Sequence, residues 1–406
     1  MGNHPMTTRG PNVRVVASPS TWIEGEALRQ LDATAALPGM VETVGMPDLH
    51  PGKGSPVGAA FLSRGLIRPT LVGSDIGCGM ALWQTDLPVR RLRPEKVAAK
   101  LEGLDLPWEG DVGEWLAERG VSGTPFDASL GTVGHGNHFA EVQVVREVVD
   151  EAGFARLGLN ADHVQVLVHT GSRGLGESIL REHVDRFRAD GVDPEDEAGR
   201  AYMERHDHAV RWARANRELV ASRMLDRMGV TARPVLDVCH NDVGVAMVDG
   251  CACHLHRKGA APSDRGPVVI PGSRGDVSVL VEPVPDRRDA LWSLAHGAGR
   301  KLARHEAKGK LKGRLRREDL DRNRYGGVVV CGDDRLIWEE APEAYKDIER
   351  VVGDLVDAGL VRVVATFQPM VTFKCSPDRD GEARREKDAR MRDRRDARDR
   401  KRGDRP

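Results

Sequence analysis

No stretch of this 406-residue chain approaches the roughly 18 consecutive apolar side chains that a membrane-spanning helix needs. The first 30 residues also lack the basic, apolar and small-residue order of a signal peptide, so the expected location is the cytoplasm. Cysteine is scarce. Its six copies, Cys78, Cys239, Cys251, Cys253, Cys331 and Cys375, are too few and too scattered to staple so long a chain, which argues against a disulfide framework and leaves thiols free to act as ligands. Charge is nearly balanced, at a net -1, so there is no global electrostatic case for a nucleic-acid partner. A repeat of fixed period is missing as well, which excludes a solenoid. Apolar side chains run thin in residues 376–406, where 13 Lys or Arg face 9 Asp or Glu. Such a run cannot bury enough surface to offset its ordering entropy, so 375–406 is expected to be a charged, disordered tail, with weak RNA tethering as the sharper alternative.

What is abundant is glycine, 45 residues of it, punctuating short apolar runs. Val164–Val168, Pro234–Val238 and Val328–Cys331 read as buried strands, and Val361–Val364 as another. Between them, roughly over 175–230, Ala209, Ala213, Val220, Met224 and Met228 fall on one side of a helical wheel, predicting a helical insertion packed on the body. A second helix is predicted over 343–358, with Ala344, Ile348, Val351, Val352, Leu355 and Val356 at helical spacing and Gly359 as its C-terminal stop. The expected architecture is α+β, one large mixed domain from about residue 12 to Lys374.

Six segments each set a potential ligand or nucleophile beside glycines or at the end of an apolar run. They are Met46-Pro-Asp-Leu-His50, Gly73-Ser-Asp-Ile-Gly-Cys-Gly79, Gly134-His-Gly-Asn-His-Phe139, His169-Thr-Gly-Ser-Arg-Gly174, Cys239-His-Asn241 and His296-Gly-Ala-Gly-Arg300. Glycine permits the tight turns and close backbone approach that an ion or phosphate site requires. One turn can aim Asp75 and Cys78 at a single ion, and imidazoles from His138, His169 and His240 could complete one or two coordination spheres. Carboxylate, thiolate and imidazole together suit zinc, manganese or iron better than calcium or magnesium. Any one of these histidines alone is more often structural; the set is not. His296 precedes a helical-looking stretch, Lys301–Glu306, whose positive end would welcome a phosphate, so His296 is a candidate carrier of a phosphoryl or nucleotidyl group, or else a plain helix cap. A rival cluster, Cys251-Ala-Cys-His-Leu-His256, fails as a cage if it is a strand, because its cysteines and histidines then point to opposite faces. It is expected to be a strand with buried thiols, leaving His256-Arg-Lys258 as a candidate RNA-facing edge.

These motifs resemble, in order and across nearly all of residues 40–374, those of the RtcB family of RNA ligases. The match adds Gly136-Asn-His-Phe-Ala-Glu141, Asp237-Val-Cys-His-Asn241, His256-Arg-Lys-Gly-Ala260, Pro271-Gly-Ser273, Glu339-Glu-Ala-Pro-Glu-Ala-Tyr-Lys-Asp347 and Lys374. The resemblance implies an RtcB-type domain with glycine-rich loops around a central metal site. It implies two Mn2+ ions bridged by Cys78, with Asp75 and His138 completing one site and His169 and His240 the other. It also implies GTP as cofactor and His296 as the catalytic nucleophile that carries GMP. Asn137, His138, Phe139, Ala140, Glu141, His240, Asn241, Pro271, Gly272, Ser273, Arg274, Ser278, His296, Gly297, Ala298, Gly299 and Lys374 would then line the guanylate pocket, and Arg173 and Arg300 would steady phosphates. The implied substrates are RNAs with a 3′-phosphate or 2′,3′-cyclic phosphate and a 5′-hydroxyl. The short core and the run Met46–Gly54 look like the branch associated with release factor H, which makes a protein of that kind a partner to expect. The chain departs from the family pattern at Gly77, where Asn is usual, at Arg274, where Met is usual, and in the 32 residues that follow Lys374. Two other readings stay open: a dinuclear phosphodiesterase acting on cyclic phosphates, and an RNA-binding relative without catalysis.

Overall fold

Where both faces of a strand are covered, its sequence loses polar–apolar alternation and reads as one apolar run. His163–Thr170 is such a strand, buried at every residue from Val164 onward. It is an inner member of an eight-stranded sheet in a computed structural model that describes residues 5–376. That sheet runs Val268–Pro271, Ser278–Pro283, Val361–Cys375, Phe139–Val148, His163–Thr170, Gly79–Pro88 and Ala232–Cys239, and Val328–Cys331 pairs parallel with the end of Val361–Cys375. A six-stranded sheet runs Met6–Gly10, Val13–Val16, Met40–His50, Val57–Ser63, Cys251–Lys258 and Asn241–Val248. A short ribbon joins Ala260–Pro262 to Ser293–Ala295.

Successive side chains of a strand point to opposite faces, and the larger sheet uses both. Ala81, Trp83, Val142, Val144, Val164 and Val166 pack on Val97 and Leu101 of helix Pro94–Leu101 and on Val220, Met224 and Met228 of helix Glu197–Met228. Met80, Leu82, Leu167, Leu280 and Phe367 face the other way. A further core joins the two sheets: Val44, Met46, Leu62 and Leu255 meet Ile270, Val279 and Val281, together with Ile348, Val351 and Leu355 of helix Ile348–Asp357. The result is a single mixed α/β body, as the α+β expectation had it.

The helical segment over 175–230 is two helices, Gly174–Phe187 and Glu197–Met228, and the predicted stripe from Ala209 to Met228 is buried. Gly229 ends the second in the left-handed region at φ 73°, its N–H donating to the carbonyls of Leu225 and Asp226. The helix expected over 343–358 is shorter. Pro342–Ala344 forms a 3-10 turn, Asp347 caps the helix through the Glu349 N–H, and Val356 from the predicted stripe is exposed. The strand expected at Val361–Val364 continues to Cys375, and the body begins before residue 12, with Met6–Gly10 paired to Val13–Val16. The charged segment 377–406 lies outside the described residues. Among the described residues, no helix is long and apolar enough to cross a membrane.

Candidate active site

Four adjacent strands of the larger sheet bring the candidate ligands to one end. His138 immediately precedes Phe139–Val148, His169 lies near the end of His163–Thr170, Cys78 precedes Gly79–Pro88, and His240 follows Ala232–Cys239. The ladder aligns them: Phe139 opposes His169, and Gly79 opposes both Thr170 and Cys239. Asp75 joins through a tight turn closed by the Cys78 N–H on the Asp75 carbonyl, 3.1 Å.

The turn needs Gly77. Its φ is +79°, and a Cβ there would stand 2.8 Å from the Ala213 methyl and 3.0 Å from Val210 Cα, because helix Glu197–Met228 presses on the turn. An asparagine could adopt that φ but has no room for its side chain against this helix. The Gly77 N–H donates to the Asn241 carbonyl at 2.8 Å.

Cys78 Sγ lies 3.3 Å from His138 Nε2 and 3.2 Å from His169 Nε2. His138 Nε2 is 2.8 Å from Asp75 Oδ2, and His169 Nε2 is 3.3 Å from His240 Nε2. Two groups therefore have donor atoms close enough to share an ion, Asp75–Cys78–His138 and Cys78–His169–His240, with every ligand atom of a group within 4.8 Å of the others. Burial first, and then neighbouring cations, hold His169 and His240 well below the ordinary imidazole range, so each keeps a neutral ring with a lone pair to offer. Burial alone would raise the Asp75 carboxyl, but His138, Cys78 and His240 outweigh it and bring it down to about 2. Burial pushes the Cys78 thiol well up, and a divalent cation reverses that by taking the proton's place. Carboxylate, thiolate and imidazole would suit a borderline divalent transition metal, and Cys78 is common to both groups.

His296 adjoins this cluster. Its ring meets that of His240 at 4.9 Å, edge to face. Its Nδ1–H donates to the fully buried carboxylate of Asp48, 2.7 Å, and its backbone N–H donates to the same oxygen at 3.2 Å. A carboxylate only accepts, so Asp48 fixes the proton on Nδ1 and leaves the Nε2 lone pair free. The backbone comes close here as well: at Gly259, φ +59°, a Cβ would stand 2.8 Å from His296 Cε1. His296 does not cap a helix, because it follows strand Ser293–Ala295 and the next helix starts only at Arg304.

The other predicted residues divide. Glu141, Ser278 and Lys374 gather in a second polar patch. Thr372 donates to Glu141 Oε1 at 2.7 Å, Gln143 Nε2 reaches Glu141 Oε2 at 2.7 Å and Ser278 Oγ at 3.0 Å, and Lys374 Nζ donates to the Gly136 carbonyl at 2.7 Å. Burial raises the Glu141 carboxyl to about 7 despite these donors. Half-buried Asn137 and buried Ala140 lie along the backbone that links this patch to His138. The turn Pro271-Gly272-Ser273 reaches His296-Gly297-Ala298-Gly299, since a Cβ on Gly297 would be 3.3 Å from the Pro271 carbonyl. Phe139 packs its edge on the His169 ring at 5.4 Å. Asn241 clamps backbone, donating to the Asp75 carbonyl at 3.1 Å and accepting the Gly259 N–H at 2.6 Å.

Four expectations are corrected. Arg300 is spent on Glu340, Tyr345 and the carbonyls of Leu302 and Glu339, which occupies the donors a phosphate would use. Strand Cys251–Lys258 is an inner strand with His256, Arg257 and Lys258 buried, so it offers no RNA-facing edge. Its thiols differ: Cys253 is buried, but Cys251 is exposed. Arg274 turns its terminal nitrogens to the carbonyls of Leu320 and Ile337, 2.9 and 3.1 Å. Arg173, by contrast, lies near Asp75 and Cys78.

Sequence reasoning singled out the segment Met46–His50 without assigning Asp48 its role toward His296, and it missed Arg217. Arg217 is 1% exposed and holds Asp237 at 2.6 Å, the Gly77 carbonyl at 2.7 Å and the Thr170 carbonyl at 3.0 Å, so it braces the backbone beside both Cys78 and His169. Its signal was present: a lone arginine within the apolar stripe Ala213–Val220–Met224.

The chain is similar in sequence to known proteins. A family profile described as tRNA-splicing ligase RtcB matches residues 30–108 and 122–375. The chain is 48% identical over 374 residues to the RNA-splicing ligase RtcB2 of Escherichia coli, spanning 91% of this chain and 97% of that protein. It is 32% identical to the RNA-splicing ligase RtcB of Mycobacterium tuberculosis over 85% of this chain and all of that one, and 32% identical to the tRNA-splicing ligase RtcB of Thermococcus kodakarensis over 86% and 91%. With ligand cluster, histidine and whole-chain similarity in agreement, the protein belongs to the RtcB family and is an RNA ligase.

Proposed function

We propose that this ligase joins RNA 3′-phosphate or 2′,3′-cyclic phosphate ends to 5′-hydroxyl ends at the expense of GTP and with manganese, in cytoplasmic RNA repair or tRNA processing. The observation that carries the reading is His296 itself, oriented by a buried carboxylate and lying against the ligand cluster. With its proton on Nδ1, the Nε2 lone pair attacks the α-phosphorus of GTP. An N–P bond forms, the bond to the β-phosphate oxygen breaks, and pyrophosphate leaves. A 2′,3′-cyclic end is first opened by water, which adds to phosphorus as the P–O2′ bond breaks and O2′ takes up a proton, leaving a 3′-phosphate; the guanylyl group then passes to an oxygen of that 3′-phosphate, freeing His296. Attack by the 5′-hydroxyl on that phosphorus expels GMP and seals the strand.

Asp75, Cys78, His138, His169 and His240 would hold two Mn2+ ions, which supply Lewis-acid stabilisation of the charge that builds on phosphate oxygens. Arg173, which interacts electrostatically with Asp75 and Cys78, would add positive charge at the same place. The patch of Glu141, Ser278 and Lys374 offers a buried acceptor and donors that suit the edge of a guanine base. The direct test is incubation with α-labelled GTP and Mn2+. Label should become attached to the protein in a metal-dependent way and be absent from His296→Ala. Absence of label in the parent, or its persistence in His296→Ala, would sink the reading.

A further inference from the structure

Outside the site, two cysteines stand side by side at the ends of paired strands. Cys331 closes Val328–Cys331, Cys375 closes Val361–Cys375, and the parallel ladder makes them Cα partners. Neighbouring strands lie about 4.8 Å apart, inside the Cα separation that a disulfide accepts. The sulfurs are 3.9 Å apart, both residues are buried, and the Gly332 N–H donates to the Cys375 carbonyl at 3.1 Å, fixing the two backbones to each other. A pocket of about 440 Å³ between helix Pro94–Leu101, Arg317 and Arg322 is lined by Cys331, whose sulfur stands 3.9 Å from that of Cys375, and gives a small reagent a way to the pair. Hydrogen bonding from Cys331 holds the Cys375 thiol below the ordinary thiol range, which favours its thiolate.

We propose that Cys331 and Cys375 form a reversible disulfide that switches RNA joining off under peroxide. The Cys375 thiolate attacks one oxygen of hydrogen peroxide, the O–O bond breaks, and hydroxide leaves and is protonated to water, giving a sulfenic acid. The Cys331 sulfur then attacks that sulfur. The S–S bond forms, the S–O bond breaks, and the departing hydroxide takes the Cys331 proton as a second water. Two thiols are oxidised and one peroxide is reduced to two waters.

The contraction, nearly 2 Å from the present separation to a bond of about 2.05 Å, is felt by Lys374, the residue before Cys375. It is also felt by Glu340, nine residues past Cys331 and 3.7 Å from Lys374 Nζ. That this reaches catalysis rests on Lys374 lining the guanylate pocket.

The test uses the full chain loaded with Mn2+ and treated with hydrogen peroxide, then with dithiothreitol. Peptide mapping should find a Cys331–Cys375 cross-link, and RNA joining should fall at least fivefold and return on reduction. Cys331→Ala and, independently, Cys375→Ala should join RNA normally and resist the treatment. The proposal is overturned if no cross-link forms, if the cross-linked enzyme keeps its rate, or if both variants lose activity in parallel with the parent, which would move the damage to Cys78. If the reduced parent joins RNA yet never binds GTP, the guanylate reading fails, while cross-link and rate still decide the switch.

Discussion

Replacing Arg217 by methionine tests how the helix Glu197–Met228 supports the metal ligands. Methionine keeps an unbranched apolar stem but removes every donor. The Asp237 carboxylate and the buried carbonyls of Gly77 and Thr170 are then left without their partner. Breaking a buried ion pair from one side costs about 3–5 kcal/mol, because the remaining charge is uncompensated. Unfolding entropy near 2.1 cal/mol/K per residue over the described chain gives about 0.8 kcal/mol/K, so the metal-free protein should melt about 4–6 °C lower. Removing the partner too, in Arg217→Met with Asp237→Leu, should recover at least half of that loss. Because Gly77 adjoins Cys78 and Thr170 adjoins His169, Mn2+ affinity should also fall by about 10–100-fold, the usual effect of losing a support behind a ligand. Thermal melts give the first quantity, and the electron paramagnetic resonance signal of free Mn2+ gives the second. A single variant that melts within about 1 °C of the parent and titrates identically would refute the reasoning.

Asp48→Asn should preserve the fold but slow attachment of guanylate to His296 by about 10²–10⁴-fold, since an amide no longer selects the Nδ1–H form; a single-turnover rate equal to the parent's would dismiss the tautomer role. Glu141 predicts a pH effect. Its folded pKa, about 7, is above the unfolded value of 4.5, so the folded state retains a proton that the unfolded chain releases. The stability it contributes is complete below about pH 4.5 and disappears as pH rises through about 7, at no more than about 1.4 kcal/mol per pH unit. Urea midpoints from pH 5 to 8 should therefore fall less steeply for Glu141→Gln, and superimposable slopes would exclude Glu141 as the source.

Much of the site was legible because its ligands sit beside glycines that serve the same local geometry: Asp75 and Cys78 share a turn that only Gly77 fits under helix Glu197–Met228. The strand around Val164 was legible because burial on both faces erases polar alternation, and the strand around Val328 because its β-branched run is apolar throughout although its burial alternates. What stayed hidden depended on partners far away in sequence. Nothing near Asp48 reveals that His296, 248 residues on, places its Nδ1 on that carboxylate. Nothing near Arg300 reveals that Glu340 and Tyr345 consume its donors. Arg217 could be suspected from its place in an apolar stripe, but not the two carbonyls it holds. The His256–Lys258 segment misled because a central strand and an edge strand carry the same alternating pattern, and only the neighbours, Val57–Ser63 and Asn241–Val248, tell them apart.

The row of ligands along four neighbouring strands has a consequence for how the protein comes into being. His138 and His169 belong to strands that are consecutive in sequence, but Gly79–Pro88, which brings Cys78, is inserted between His163–Thr170 and the much later Ala232–Cys239. The shared sulfur therefore has both sets of imidazoles beside it only after a strand made early has been enclosed by one made more than a hundred residues later. A chain still emerging from the ribosome can bring together Asp75, Cys78 and His138, but not the group of Cys78, His169 and His240. An ion held by Cys78, His169 and His240 would therefore be captured only once the sheet has closed in that order.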